Sequence, residues 1–320
     1  MKKLLAGLAL AVVFGTSMAA DSWPSKPIRV VVPFPPGSSP DLVARMLTEK
    51  LTVSLGQPVI VDNKPGSGGN IGTGLVAKAA PDGYTLGLSI PGPLAVNTVL
   101  YSKMDYDPFT ELAAVSLVAV SPNVLVADPK LNIGSVKEFI ALARAQPGKL
   151  NYGSIGNGSS SHLTMELLKT LAGLDVVHVP YPGSPQVIAA IVGGQVQVGF
   201  VVPGTAMALV QAGRLKAIAV TSADKSQVLP DLPTVAEAGY AGFESSAWLG
   251  MVAPAGTPKP IVERLSRELM DIIRSPEVQD KMVKIYFQPV GTSPETLSNL
   301  MRAERDRWAP VIKRSGARAD

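Results

Sequence analysis

The sequence predicts an α/β protein of two lobes, each built on a Rossmann-like, parallel-rich sheet. Short β-branched runs alternate with helix-like segments through connections of a few residues, the pattern of right-handed βαβ units. That alternation runs to Leu88, lapses, and starts again at Val124. A chain of 320 residues also exceeds one usual hydrophobic core, so two cores are expected.

The opening MKKLLAGLALAVVFGTSMAAD is read separately. Lys2 and Lys3 precede an apolar run from Leu4 to Phe14 that is too short to cross a bilayer, and Ser17-Met18-Ala19 offers the small residues of a cleavage site. Residues 1–19 are therefore expected to be a secretory signal. Loss of Lys2 and Lys3 with it lowers the formal charge of +4 to about +2, and no Lys/Arg cluster of nucleic-acid type appears. The chain has no cysteine, which excludes disulfides, thiolate metal sites, cysteine nucleophiles and a lipid-modified cysteine anchor.

Ile28 to Val32 reads as a strand buried on both faces. Ser39-Pro40-Asp41 then reads as N-cap, N1 proline and acidic first turn of a helix that Gly56 stops. Val59 to Val61 (strand), Asn63 to Gly69 (loop), Asn70 to Ala80 (helix) and Tyr84 to Leu88 (strand) complete a βαβαβ unit. After a less regular stretch come strands at Val124 to Ala127, Leu150 to Gly153, Val176 to Val179, Val196 to Val202 and Lys216 to Thr221. Helices separate them: Ser135 to Ala145 with a Ser135/Glu138 capping box, Ser159 to Leu171, Pro185 to Val192, and a short one from Thr205. Trp248 to Ala253 is strand-like. Three helices close the chain, from Pro260, after Ser275-Pro276 and after Ser293-Pro294. The expected division is a discontinuous first lobe, residues 20–121 plus 245–320, and a second lobe, residues 122–244. A hinge of two crossing strands would join them near Pro122 to Val126 and Trp248 to Ala253.

Two strand-to-helix turns could carry function: PFPPGSSPDLVAR from Pro33 and NYGSIGNGSSSHLTMEL from Asn151. In open parallel sheets ligands bind where strand C-termini meet helix N-termini. Free N–H groups and the helix dipole attract anions there, glycine admits them to the backbone, and serine adds hydroxyl donors. One such loop alone is ordinary helix capping; one in each lobe points to an anion site with two halves. GxxxxGK[ST] is absent and GSIGNG is not GxGxxG, so phosphate signatures fail. A small organic carboxylate needs only a few donors.

Enzyme readings find little support. The two histidines, His162 and His178, come with no HExxH and no GxSxG. Ser160 and His162, two apart on a helix start, do not face each other. His162 reads as a helix N-terminal residue bonding locally, and His178 as a strand residue satisfied in the fold. Asp41 is either a ligand contact or an acid complementing the helix dipole. Tyr181 and Ser184 in VPYPGSP line the cleft or serve the turn.

Taken together, KPIRVVVPFPPGSSPDLVAR, VDNKPGSGGNIGTGLVAKAAPDGYTL, NYGSIGNGSSSHLTMELLK, VHVPYPGS, GRLKAIAVTS, DLPTVAEAGY, APAGTPKPIVERL and RWAPVIKRSGA resemble the Bug family of periplasmic solute-binding proteins, receptors of tripartite tricarboxylate transporters. The likeness spans essentially the whole chain after the signal. It implies a hinge-closing fold of the periplasmic binding protein type II kind, with no catalytic role, cofactor or metal. It implies that loops matching Pro35 to Asp41 and Ser154 to Ser160 grip a ligand carboxylate through backbone N–H groups, hydroxyls and water. The candidate ligand-binding set is Phe34, Pro36, Gly37, Ser38, Ser39, Asp41, Ser89, Ser154, Asn157, Gly158, Ser159, Ser160, His162, Tyr181, Ser184, Val201 and Val202. The implied partners are a small organic carboxylate and the membrane permease subunits of the transporter, with the receptor a periplasmic monomer that does not insert into the membrane.

Two departures from the family pattern stand out. The first loop has Gly37-Ser38-Ser39-Pro40 where the family often has two glycines and a threonine, so the extra serine would replace or displace a water-mediated contact. GFVVPGT has Val201 and Val202 where polar residues are common, which favours a carboxylate with an apolar or aromatic body over an amino acid. Two other readings stay open: an exported α/β enzyme acting on a small carboxylic acid, and an orphan receptor feeding a signalling sensor.

Overall fold

The computed structural model describes residues 23–319, so the expected signal at residues 1–19 lies outside the described residues. The first part of the chain folds as β1 (Ile28–Val32), α1 (Ser39–Leu55), β2 (Val59–Asn63), α2 (Asn70–Ala77) and β3 (Thr85–Ser89). A π-helical turn, Gly92–Val96, runs into α3 (Asn97–Leu100). Two strands follow almost without a break, β4 (Leu112–Pro122) and β5 (Val124–Ala127). The chain then forms α4 (Val136–Ala145), β6 (Asn151–Ser154), α5 (Ser160–Ala172), β7 (Val177–Pro180), α6 (Ser184–Val192), β8 (Val198–Val201), α7 (Pro203–Gln211) and β9 (Lys216–Val220). It returns through β10 (Ser246–Pro254), α8 (Lys259–Arg274), α9 (Pro276–Lys284), β11 (Gln288–Pro289) and α10 (Pro294–Ser315).

These strands make two sheets, ordered β11-β4-β10-β3-β1-β2 and β7-β6-β8-β5-β9. The alternation of β1 explains its continuous β-branched run. Val30 and Val32 enter one core with Val43, Leu47 and Leu51 of α1 and Leu265 and Leu269 of α8. Val31 enters the opposite core with Val76 of α2, Leu94, Leu297 and Trp308 of α10. Both faces are covered along Val30–Val32, and only Arg29 near the start of the strand is exposed, where it pairs with Asp62 at 3.5 Å. The second sheet repeats the device: Leu125 and Ala127 of β5 join Phe139, Met165 and Leu168, while Val124 and Val126 join Val187 and Ile191 on the other face.

The sheets are mixed rather than parallel-rich. The expected parallel pairs β1–β2, β1–β3, β6–β7 and β6–β8 are present. β10 instead runs antiparallel to both β3 and β4, and β5 runs antiparallel to β8 and β9. The physical reason is the double passage of the chain: β4 leaves the first sheet, β10 re-enters it, and the two pair from Leu112↔Pro254 to Pro122↔Ser246. Only Asn123 separates β4 from β5. This pair is the hinge element of the two-lobed fold.

Candidate functional site

Both glycine-serine loops sit where a strand end meets a helix start, one on each sheet. In the first, the N-cap is Ser38 with extended backbone, not Ser39 as the sequence suggests; Ser39 and Pro40 lie inside the first turn of α1. Proline tolerates either of the first positions, since neither needs its missing N–H. Ser38 makes no side-chain cap bond, and its Oγ is buried without a hydrogen-bond partner among the described residues. Gly37 has φ of +79° and donates its N–H to Asp41 Oδ2 at 2.8 Å.

Asp41 is thereby a brace for its own loop. It is 1 % exposed and also accepts from Arg45 Nε at 3.0 Å and from Asn63 Nδ2 at 3.0 Å. Asn63, at the end of β2, additionally donates to the Phe34 carbonyl at 2.9 Å. Burial pushes the Asp41 carboxyl up, but Arg45, the Gly37 N–H and Asn63 outweigh it and hold it below its ordinary value. With its oxygens so occupied, Asp41 is spoken for inside the fold. Among the described residues no protein acceptor takes the N–H of Ser39 or of Asp41 itself.

The second loop is built the same way. Gly156 (φ +110°) and Gly158 (φ +74°) take the left-handed turns that lead to the N-cap Ser159, whose Oγ accepts the His162 N–H. Gly158 donates its N–H to His162 Nδ1 at 3.0 Å, again four residues on. Ser154 Oγ meets His178 Nε2 at 2.6 Å and accepts the Gly156 N–H at 3.1 Å. The N–H groups of Asn157, Ser160 and Ser161 are left without protein acceptors among the described residues. Each loop thus spends its glycine N–H on its own side chains and leaves neighbouring donors free at a positive helix end, a ready anion cradle.

The other expected residues fall in four groups. Phe34 and Val202 are half-buried against the first-sheet core, although Val202 belongs to the second-sheet strand end. Tyr181 packs on the second-sheet core beside Val201, which is 1 % exposed and faces that core. Ser89 is buried and paired with Thr73 Oγ1 at 3.0 Å, while Asn157 Nδ2 reaches the carbonyl of Arg318 in the C-terminal tail at 2.8 Å. Pro36 is exposed and Ser184 half-buried at the start of α6. The cavities of about 430 Å³ and 390 Å³ have other linings, one between α6 and α7 and one beside α3 and α10.

The second loop rests on first-sheet elements. A Cβ on Gly158 would stand 2.0 Å from Leu100 Cδ2 and 3.4 Å from Asn97 Oδ1. Asn97 in turn donates to Asn70 Oδ1, at the start of α2, at 2.7 Å. Beneath this contact a buried polar network ties the hinge to the loop. Asn123 donates its N–H to Thr221 Oγ1 at 2.8 Å and its Nδ2 to Thr164 Oγ1 at 3.4 Å, and its Oδ1 accepts from Ser160 Oγ at 3.4 Å. Thr164 Oγ1 and Thr221 Oγ1 both bond Ser245, which precedes β10. Asn63, Asn70, Asn97 and Asn123 were not foreseen, because an asparagine becomes informative only once its distant partners are known.

Among the described residues, no helix is long and apolar enough to cross a membrane, and no cluster of His, Cys, Asp or Glu could hold a metal ion. The chain is similar to known proteins along most of its length. Residues 43–317 match the family model described as the tripartite tricarboxylate transporter family receptor. Protein BugT of Bordetella pertussis is 37 % identical over 99 % of both chains. Among solved structures, R. palustris Rpa4515 with adipate superposes with a TM-score of 0.86 at 36 % identity, covering 92 % of this chain and 98 % of that one. MatC from Rhodopseudomonas palustris with bound malate gives 0.82 at 32 % identity, covering 91 % and 100 %. The chain belongs to the tripartite tricarboxylate transporter receptor family and is a Bug-type solute-binding protein.

Proposed function

We propose that this protein is a periplasmic receptor, exported by a cleaved signal at residues 1–19, that captures a small organic carboxylate between its lobes and delivers it to a tripartite transporter permease. The observation that carries the reading is the pair of glycine-serine loops with unengaged N–H groups, one opening α1 and one opening α5. Such donors favour a carboxylate without a lysine or arginine in either loop. The rigid bodies would be residues 20–121 with 245–320 and residues 122–244. Contacts made by one ligand to both would favour closure about β4 and β10. The adipate and malate in the structures of relatives make dicarboxylates the first class to test. Half-buried Phe34 and Val202 favour an apolar or aromatic body on the ligand.

Thermal-shift and calorimetric titration against aliphatic, hydroxy-, amino- and aromatic mono-, di- and tricarboxylates tests this. A carboxylate at 100 times its Kd should add about 2.7 kcal/mol to stability. Binding should fall only modestly with salt, since no cation supplies the site. Preference for aspartate or glutamate over every apolar-bodied carboxylate would overturn the ligand class. Turnover of the bound acid would overturn the receptor role.

A further inference from the structure

The chain has two histidines, and the fold stacks them on each other, with ring centroids 4.1 Å apart and planes 16° from parallel. Each ring holds one end of the same five-residue stretch: His178 Nε2 meets Ser154 Oγ at 2.6 Å, and His162 Nδ1 accepts the Gly158 N–H at 3.0 Å. An Nδ1 that accepts carries no proton, so His162 is neutral with its proton on Nε2. We propose that His162 and His178 are positioning residues of the second ligand loop: as neutral rings they hold residues 154–158 in shape, and protonation of His162 releases Gly158 and weakens carboxylate capture. The last clause rests on the function proposed above; the loop geometry does not.

A proton on Nδ1 would set N–H against N–H and turn the bond to Gly158 into a repulsion. An imidazolium would also stand 4.1 Å from the second ring. The groups that face this stack are few. Tyr152 of β6 lies over His178 at 4.8 Å. Glu166 of α5 accepts from Tyr152 Oη at 2.6 Å and from Lys169 Nζ at 2.7 Å, and Lys169 stands over the Tyr152 ring at 5.5 Å. Burial, then His178 and Lys169, lower His162 from 6.5 to about 3. Burial lowers His178 to about 4, with Glu166 opposing and Lys169 adding. The loop is therefore held throughout the neutral range and loosens in acid.

Three forms of the full chain separate positioning from packing: wild type, His162→Asn, whose amide oxygen replaces Nδ1 but does not titrate, and His162→Leu, which packs but accepts nothing. At neutral pH the Gly158 amide should exchange with solvent about tenfold faster in His162→Leu and within about threefold of wild type in His162→Asn. Equal exchange in all three would overturn the proposal. Should His162→Leu fail to fold, nitrogen-15 imidazole spectra of the wild type decide: an unprotonated Nδ1 on His162 is expected, and a protonated one overturns it. Calorimetry with adipate, at neutral pH and near the pH of about 3 where His162 titrates, tests release. The ratio of wild-type to His162→Asn Kd cancels adipate's own titration. It should rise about twofold on acidification, as half of the His162 rings take up a proton; a constant ratio overturns the release step. If adipate binds no form at neutral pH, the dicarboxylate reading fails instead, and Gly158 exchange still decides the role of the rings.

Discussion

Gly37 donates its backbone N–H to the side chain of Asp41 at 2.8 Å, four residues later. On the other sheet Gly158 does the same to His162 at 3.0 Å. In each loop the glycine N–H is consumed in shaping the turn, while the N–H groups beside it have no protein acceptor among the described residues.

The two glycines should differ sharply in tolerance. Both have positive φ, so alanine at either costs about 1–2 kcal/mol in backbone strain. A Cβ at Gly37 meets nothing within 4 Å, whereas one at Gly158 stands 2.0 Å from Leu100 Cδ2. Denaturant unfolding should show Gly158→Ala losing at least about 1 kcal/mol more than Gly37→Ala. Equal losses would mean that the Leu100 side chain turns aside to admit the methyl group at no cost.

Asp41→Asn should destabilise the protein by about 2 kcal/mol at neutral pH, because one oxygen becomes a donor facing Gly37 or Asn63 and Arg45 loses its carboxylate partner, keeping Asn63 Oδ1. The sign with pH follows from the lowered carboxyl. Its stabilisation is present above the ordinary value of 3.8 and is lost as pH falls through the lower, folded value. The gap between wild type and Asp41→Asn should therefore close in acid, which urea titration at several pH values can read.

Much of this was legible in advance, and the reasons are local. Ile28–Val32 is β-branched at every position but Arg29, and Ser275 and Ser293 each precede a proline at the first helical position. β4 escaped notice because LAAVSLVAVSP is buried without a two-residue period, its burial being set by β10 and β11 on either side. The α1 cap was misplaced by one residue because SSP offers two serines and only packing selects Ser38. His178 lies on another strand from the loop it holds, and no spacing announces that contact.

The hinge network makes a prediction about coupling. Thr164 is fully buried and bonds Asn123 and Ser245. Thr164→Val should cost about 2 kcal/mol by leaving those groups unpaired, and Thr164→Ser less than about 1. Combined with Ser245→Ala, Thr164→Val should fall short of additivity by more than about 0.5 kcal/mol. Additive losses would show that the hydroxyls do not act as one network.

Glu304 supplies an opposite pH signature. Its Oε2 accepts from Trp248 Nε1 at 3.3 Å and Trp308 Nε1 at 3.1 Å, and burial, its largest influence, raises it above 4.5. Its contribution is greatest below 4.5 and is lost as pH rises through the higher, folded value. Glu304→Gln keeps an acceptor without the charge. Its stability relative to wild type should therefore increase from acid to neutral pH, followed by tryptophan fluorescence during denaturation.

The most direct test is an amide titration by two-dimensional NMR with the tightest-binding carboxylate of the panel. The N–H signals of Ser39 and Asp41 on one loop and of Asn157, Ser160 and Ser161 on the other should shift together with one saturation curve. Gly37 and Gly158, already bonded to Asp41 and His162, should move less. Shifts confined to one loop, or centred on residues outside both, would contradict capture between two helix ends.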